Sequence, residues 1–318
     1  MARLAGKKTI VVALGGNSIV PVAKQGTIRE QIDLTMATMA HVASLIGQGH
    51  LVAVTHGNGP VVGNIVVRNE MAKKVIPPMP LDVCGADSEG GIGYMIQQAL
   101  QNQLRKMGLD KDVFTIITQV MVDPNDPAFK NPTKPIGPFY KRREAEAIAR
   151  EKGWSIVEDS GRGYRRVVPS PMPLEIVEWR AIERAINSGA IVIAVGGGGI
   201  PVVRSPDGIL RGVEAVIDKD RASSVLAMEL HAQMLMILTE VEKVATGYGS
   251  PDQRDLDHMT VAEAREYLAQ GEFPEGSMGP KIEAAIEFLE GGGEEVIITR
   301  PELLSEAVRG KRCTIVTR

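Results

Sequence analysis

The chain has 318 residues, 44% hydrophobic and 24% charged, which is ordinary for a globular protein and long enough that two lobes are expected. Lysine and arginine number 36 against 39 acidic residues, and this net charge of −3 speaks against a general nucleic-acid binder. Only Cys84 and Cys313 are present, which excludes a disulfide framework and a cysteine-based zinc site.

The N-terminal stretch reaches only a handful of apolar residues before Gly15, too few for a signal peptide or a membrane span. A soluble, cytoplasmic protein is expected. Residues 10–14 form a short apolar run that ends on Gly15-Gly16-Asn17, and 51–54 form another that leads into Thr55-His56-Gly57-Asn58-Gly59-Pro60. Each run has the length of a buried strand, and each precedes a segment readable as a helix. Glycines at a strand-to-helix turn let backbone N–H groups approach an anion, and the helix dipole favours negative charge there. Two such turns suggest a site for a heavily charged substrate, although the same glycines suffice for tight turns alone.

Between and after these turns, Ile32, Met36, Met39, Ala40, Ala43 and Ile46 mark one helical face. Ile92, Met95, Ile96, Ala99, Leu100 and Leu104 mark another. Further apolar, β-branched runs follow at 113–122, 191–195, 234–239, 296–299 and 314–317. Near-continuous apolar strands alternating with helices imply a three-layer α/β/α sandwich with a mostly parallel central sheet.

Residues 123–173 break this rhythm with dense proline and a charged helix near 141–152, and are read as an inserted lid subdomain. A softer boundary follows the glycines 196–199, with a hairpin turn at Ser205-Pro206-Asp207-Gly208. The expected division is an N-terminal lobe, 1–208, carrying the lid, and a C-terminal lobe, 209–318. The glycines 196–199, including Gly197 and Gly198, read as a third phosphate-facing loop or as a hinge.

No Walker A pattern occurs, and the turn at 57–63 misses the dinucleotide fingerprint by one residue. No His-x-x-x-His or Cys-x-x-Cys pair is present, so no protein-held metal is expected. What remains is lysines in unusual settings: Lys134 between prolines, Lys219 between Asp218 and Asp220, and Lys281 at the start of a helical pattern. A lysine in a first helical turn opposes the macrodipole unless an anion offsets it. Each alone is also compatible with a solvated surface charge.

These features converge on a resemblance. The segments ALGGN (13–17), THGNGP (55–60) and GYMIQQ (93–98) resemble the amino acid kinase family. NPTKPIGPFY (131–140), DSGRGYRRVVPSP (159–171), VEAVIDKD (213–220) and GSMGPK (276–281) narrow it to the carbamate kinase branch, and the resemblance spans essentially the whole chain. Ser18, Val61, Asp87, Glu89, Glu240 and Glu242 depart from the family's usual pattern.

The resemblance implies reversible phosphoryl transfer between ATP and carbamate, giving ADP and carbamoyl phosphate, with Mg2+ on the nucleotide and no general base. It further implies that amides of Gly15, Gly16 and Asn17 hold the transferring phosphoryl group, while Gly57, Asn58 and Gly59 face carbamate. Lys134, Lys219 and Lys281 supply positive charge, oriented by Asp220 and Asp218. Thr239, Tyr248 and Met278 fall where the family binds adenine and ribose, His56 braces its turn, and Arg162, Arg165 and Arg166 belong to the lid. A homodimer through the first lobe's helices, including 87–104, is implied as well. The alternatives are a relative acting on acetylglutamate, UMP or a small phosphonate, or a nucleotide sensor without catalysis.

Overall fold

Every residue of the strand Thr9–Leu14 after Thr9 is buried, as a strand covered on both faces requires. The computed structural model describes residues 6–20, 26–158, 163–274 and 276–318. In it, Thr9–Leu14 lies inside an eight-stranded sheet. The order is His258–Thr260, Thr314–Thr317, Glu295–Thr299, Met234–Leu238, Thr9–Leu14, Leu51–His56, Ile191–Ile193 and Val113–Thr115. All neighbours run parallel except Glu295–Thr299 against Thr314–Thr317.

Alternate side chains of the central strands feed two separate cores, as the two-residue period of a strand dictates. Val11, Ala13, Ala53, Leu235 and Ile237 join the core under the helices Lys219–Glu229 and Gly279–Glu290. Ile10, Val12, Val52, Val54 and Met236 join the other, under Ile28–Ile46 and Leu81–Lys106. This is the expected three-layer α/β/α sandwich. No helix among the described residues is long and apolar enough to cross a membrane.

Three local expectations change. The run 113–122 is not one strand: Val113–Thr115 stays in the main sheet, while Gln119–Met121 joins a four-stranded sheet with Ile200–Arg204, Leu210–Gly212 and Glu175–Ile176. The break falls at buried Thr118, whose N–H donates to Glu89 Oε2 at 2.8 Å and whose Oγ1 accepts from the Val195 N–H at 3.0 Å. Secondly, the first glycine turn does not open an α-helix. One 3-10 turn, Gly16–Ser18, follows it, and the long helix begins only at Ile28, after the N-cap Thr27. Thirdly, that helix buries Gln31, Thr35 and Thr38 and exposes Ala40. Thr38 earns its burial by donating to Ser18 O at 3.2 Å, beneath the glycine turn.

Within 123–173, Lys134–Tyr140, Tyr164–Val168 and Ile156–Glu158 form a three-stranded antiparallel sheet beside the helix Arg142–Lys152. Pro135 and Pro138 sit in its edge strand, where a missing N–H is tolerated. Glu70 pairs with Lys73 and Lys152, and Trp154 lies 4.3 Å from both the Lys152 ammonium and the Arg166 guanidinium, tying this sheet to the helix Gly59–Ala72. Residue 208 falls in the turn between Ile200–Arg204 and Leu210–Gly212, and both sides of it contribute strands to the main sheet.

Candidate active site

The strands Thr9–Leu14, Leu51–His56, Ile191–Ile193 and Met234–Leu238 run parallel, so their C-terminal ends open on one edge of the sheet. Three of those ends carry glycine-rich turns, at 15–17, 57–59 and 196–199. Ligands of open α/β sheets bind along that edge. The first two turns pack backbone to backbone. A Cβ on Gly57 would lie 3.1 Å from the Gly16 nitrogen and 3.2 Å from Lys219 Cδ, so a larger residue would push the two turns apart by a few tenths of an ångström.

Not every expected amide is available. The Gly15 N–H donates to Leu238 O and the Gly57 N–H to Leu14 O, each at 3.0 Å, extending the strand ladder. Of the amides expected to meet an anion, this leaves those of Gly16 and Asn17 on one side and of Asn58 and Gly59 on the other. The second group opens the helix Gly59–Ala72, so its dipole does favour an anion there.

Three cavities share these walls, and Ser277 and Lys281 border all of them. One, of about 260 Å³, is bordered by Gly16, Gly57, Asn58, Gly59, Lys134, Gly197, Asp218, Lys219 and Asp220. A second, of about 510 Å³, holds Gly15, Gly16, Lys219, Thr239, Glu240 and Arg300. The third, of about 280 Å³, is closed by Val241, Ala245, Tyr248, Phe273, Pro274 and Met278 and is the apolar one.

The lysines are held by carboxylates. Lys219 and Asp220 open the helix Lys219–Glu229, whose N-cap is Asp218; its Oδ1 accepts the Asp220 N–H at 2.9 Å. Asp220, 3% exposed, pairs Oδ1 with Lys219 and Oδ2 with Lys281 at 3.1 Å. Lys281 also donates to Ser277 O at 3.1 Å. Lys134 reaches from the lid to Asp218 Oδ2 at 2.9 Å. Burial pulls the Lys219 ammonium below its ordinary value; Asp220 opposes this and Lys281 adds to it. Burial raises the Asp218 carboxyl, but Lys134 and Lys219 outweigh that and hold it down at about 2.

Asp218, expected to orient the lysines, borders the 260 Å³ cavity, where capping its helix with Oδ1 leaves Oδ2 to hold Lys134 of the lid. Gly198 borders none of the three cavities; its Cβ position lies 2.3 Å from Ile217 O, so its role is close backbone packing. His56 is 1% exposed, and its Nδ1 donates to Gly57 O at 3.1 Å. Burial lowers its pKa to about 4, so the ring is neutral at physiological pH and braces the turn. Arg165 Nε donates to Gly137 O, and Arg166 pairs with Glu214, both within or just below the lid. Arg162 lies outside the described residues.

Sequence reasoning missed Ser88, whose Oγ accepts from Asn58 Nδ2 at 2.7 Å, along with Ser277, Glu240 and Arg300. Ser277 was visible inside the GSMGPK segment. Glu240 stood out only as a departure from the family's pattern, and nothing local marks Ser88 or Arg300.

A cleft that is lysine-lined where glycine turns face it and apolar at its far end belongs to a nucleotide-dependent phosphotransferase. The sequence profile of the amino acid kinase family matches residues 8–300, and the chain belongs to that family. It is 51% identical to the carbamate kinase of Pyrococcus furiosus over 97% of this chain and 99% of that one. It is 48% identical to carbamate kinase 2 of Staphylococcus epidermidis over 96% and 98%. A solved structure of carbamate kinase from Giardia lamblia bound to AMP-PNP superposes with a TM-score of 0.92 at 42% identity, covering 100% and 99% of the two chains.

Proposed function

We propose that the protein catalyses reversible transfer of a phosphoryl group between ATP and carbamate, forming ADP and carbamoyl phosphate. The observation that carries this reading is the Lys134–Asp218 and Lys219–Asp220–Lys281 network, set between two glycine turns and opening on an apolar chamber. The carbamate kinases that match the chain along nearly its whole length support carbamate as the acceptor.

Carbamate arrives as an anion, so its oxygen needs no proton removed before attack. Neutral His56 then has no proton to take. The difficulty is bringing an anion to a polyanion, which is a matter of positioning and charge stabilisation. In this reading the Gly16 and Asn17 amides hold the transferring oxygens, with Gly15 shaping their turn. Asn58 and Gly59, on the turn shaped by Gly57 and backed by Gly197, hold carbamate. Lys219 bridges the moving group, Lys281 faces the β- and γ-phosphates, and Lys134 exchanges Asp218 for substrate oxygens.

Thr239, Tyr248 and Met278 border the path to the adenine chamber. Mg2+ would neutralise phosphate charge, held by phosphate oxygens and water, since Asp218 and Asp220 are both committed to lysines. Lobes 1–208 and 209–318 would serve acceptor and nucleotide, with 123–173 as lid. A cytoplasmic homodimer working in arginine metabolism completes the reading; Tyr94, 61% exposed on the helix Leu81–Lys106, supports an apolar meeting surface there.

Incubation with ADP, Mg2+ and carbamoyl phosphate should form ATP. No ATP, with acetylglutamate or UMP phosphorylated instead, would refute carbamate as the acceptor. The acceptor turn has its own test at Gly197, where a Cβ would lie 2.0 Å from Asn58 Nδ2 and φ is already 68°. Gly197→Ala should displace Asn58 and raise the KM for carbamoyl phosphate about 10-fold or more. The KM for ADP, measured in the same assay, should stay near wild type.

A further inference from the structure

The helix Leu81–Lys106 turns two adjacent buried polar residues, Ser88 and Glu89, toward the acceptor side of the cleft. Ser88 holds Asn58 directly and is itself anchored on Gly85 O at 2.6 Å. Glu89, 1% exposed, accepts the Thr118 N–H on Oε2 at 2.8 Å, and the Gly196 amide faces the same carboxyl. Thr118 in turn binds the Val195 N–H, where φ is 54°, a strained value for a β-branched residue. Gly197, next along, packs against the Asn58 side chain. Asn58 is therefore gripped twice, by Ser88 directly and by Glu89 through the turn 195–197.

The surroundings of Glu89 do not suit a carboxylate. Its Oε1 is buried with no hydrogen-bond partner among the described residues. The titratable groups facing it are Glu178, a like charge from the turn before the helix Trp179–Asn187, and His56 at the end of Leu51–His56. His56 Nε2 and Glu89 Cγ border one point beside Gly196, 2.5 and 2.9 Å from where a Cβ there would sit. Because His56 Nδ1 donates to Gly57 O, its Nε2 is an acceptor and supplies no positive charge. Burial, reinforced by Glu178, pushes the carboxyl well above its ordinary range, and the two backbone N–H groups only partly offset this.

We propose that Glu89 is a positioning residue of the phosphoryl-acceptor site, acting as a neutral carboxylic acid that fixes the turn 195–197 and through it Asn58. This rests on the reading of the turn 57–59 as the acceptor site. Ionisation of Glu89 puts an unpaired charge behind that turn, so the acceptor loosens at alkaline pH and the nucleotide does not.

The test compares wild type, Glu89→Gln and Glu89→Ala, with KM for carbamoyl phosphate and for ADP measured between about pH 6 and about pH 9.5 and thermal unfolding followed over the same range. Glu89→Gln can still accept the Thr118 N–H and cannot ionise; it should retain the wild-type KM at low pH and abolish the alkaline rise. Glu89→Ala should raise the KM for carbamoyl phosphate about 10-fold at every pH and leave that for ADP unchanged. In the unfolded chain Glu89 ionises near its ordinary 4.5, while the folded protein keeps the proton. Wild type therefore loses stability relative to Glu89→Gln as pH rises above that value, and the Tm gap should widen toward alkaline pH. A pH-independent gap, or KM changes shared equally by both substrates, overturns the proposal. The thermal comparison needs no turnover, so a protein that forms no ATP refutes the kinase reading while the Tm gap still decides the protonation of Glu89.

Discussion

Lys219→Ala should lower kcat for ATP formation from ADP and carbamoyl phosphate ~100-fold or more, the scale seen when one charge-stabilising donor is removed. Lys219 borders both the 260 Å³ cavity and the larger cavity beside it, and its stem packs on the contact between the two glycine turns. No other lysine among the described residues occupies that contact. Lys281 keeps its own bond to Asp220 in the variant, so the fold should survive. Circular dichroism and Tm would verify this beside the kinetics. A kcat within tenfold of wild type would remove Lys219 from the reaction.

Asp220→Ala should damage both stability and catalysis. Asp220 is the shared partner of Lys219 and Lys281, and all three side chains are largely buried. Deleting one member of a buried ion pair leaves uncompensated charge and typically costs about 3–5 kcal/mol. Denaturant titration should show a loss of that order. The same change removes the group that opposes burial and Lys281 in setting the Lys219 pKa. Lys219 should then shed its proton at lower pH, moving the alkaline limb of the pH–rate profile toward neutrality. A variant within about 1 kcal/mol of wild type with an unmoved alkaline limb would show that the network has been misread.

Much of this site is legible in the sequence. The apolar runs ending in glycine became the central parallel strands and their turns, because continuous Val, Ile and Leu suit strands covered on both faces. Lys134, Lys219 and Lys281 stood out for being flanked by proline, aspartate or a helix start, and all three border one cavity. The amide assignments at Gly15 and Gly57 were less readable. Whether an N–H is free depends on the neighbouring strand, and here Leu238 O and Leu14 O take them. The break at Thr118 was equally hidden, since its partner, Glu89, lies 29 residues away on the helix Leu81–Lys106.

The sequence by itself determined the class of fold, the glycine turns and the identities of the charged residues, because periodicity, turn chemistry and motif spacing are local properties. Tertiary structure alone decided which charge answers which. Asp218 pairs with Lys134 of the segment 123–173, Asp220 joins two lysines that lie 62 residues apart, and Glu89 sits beside the turn 195–197. Those pairings are set by packing across the sheet edge and by burial. Residues distant along the chain meet only once both cores have formed.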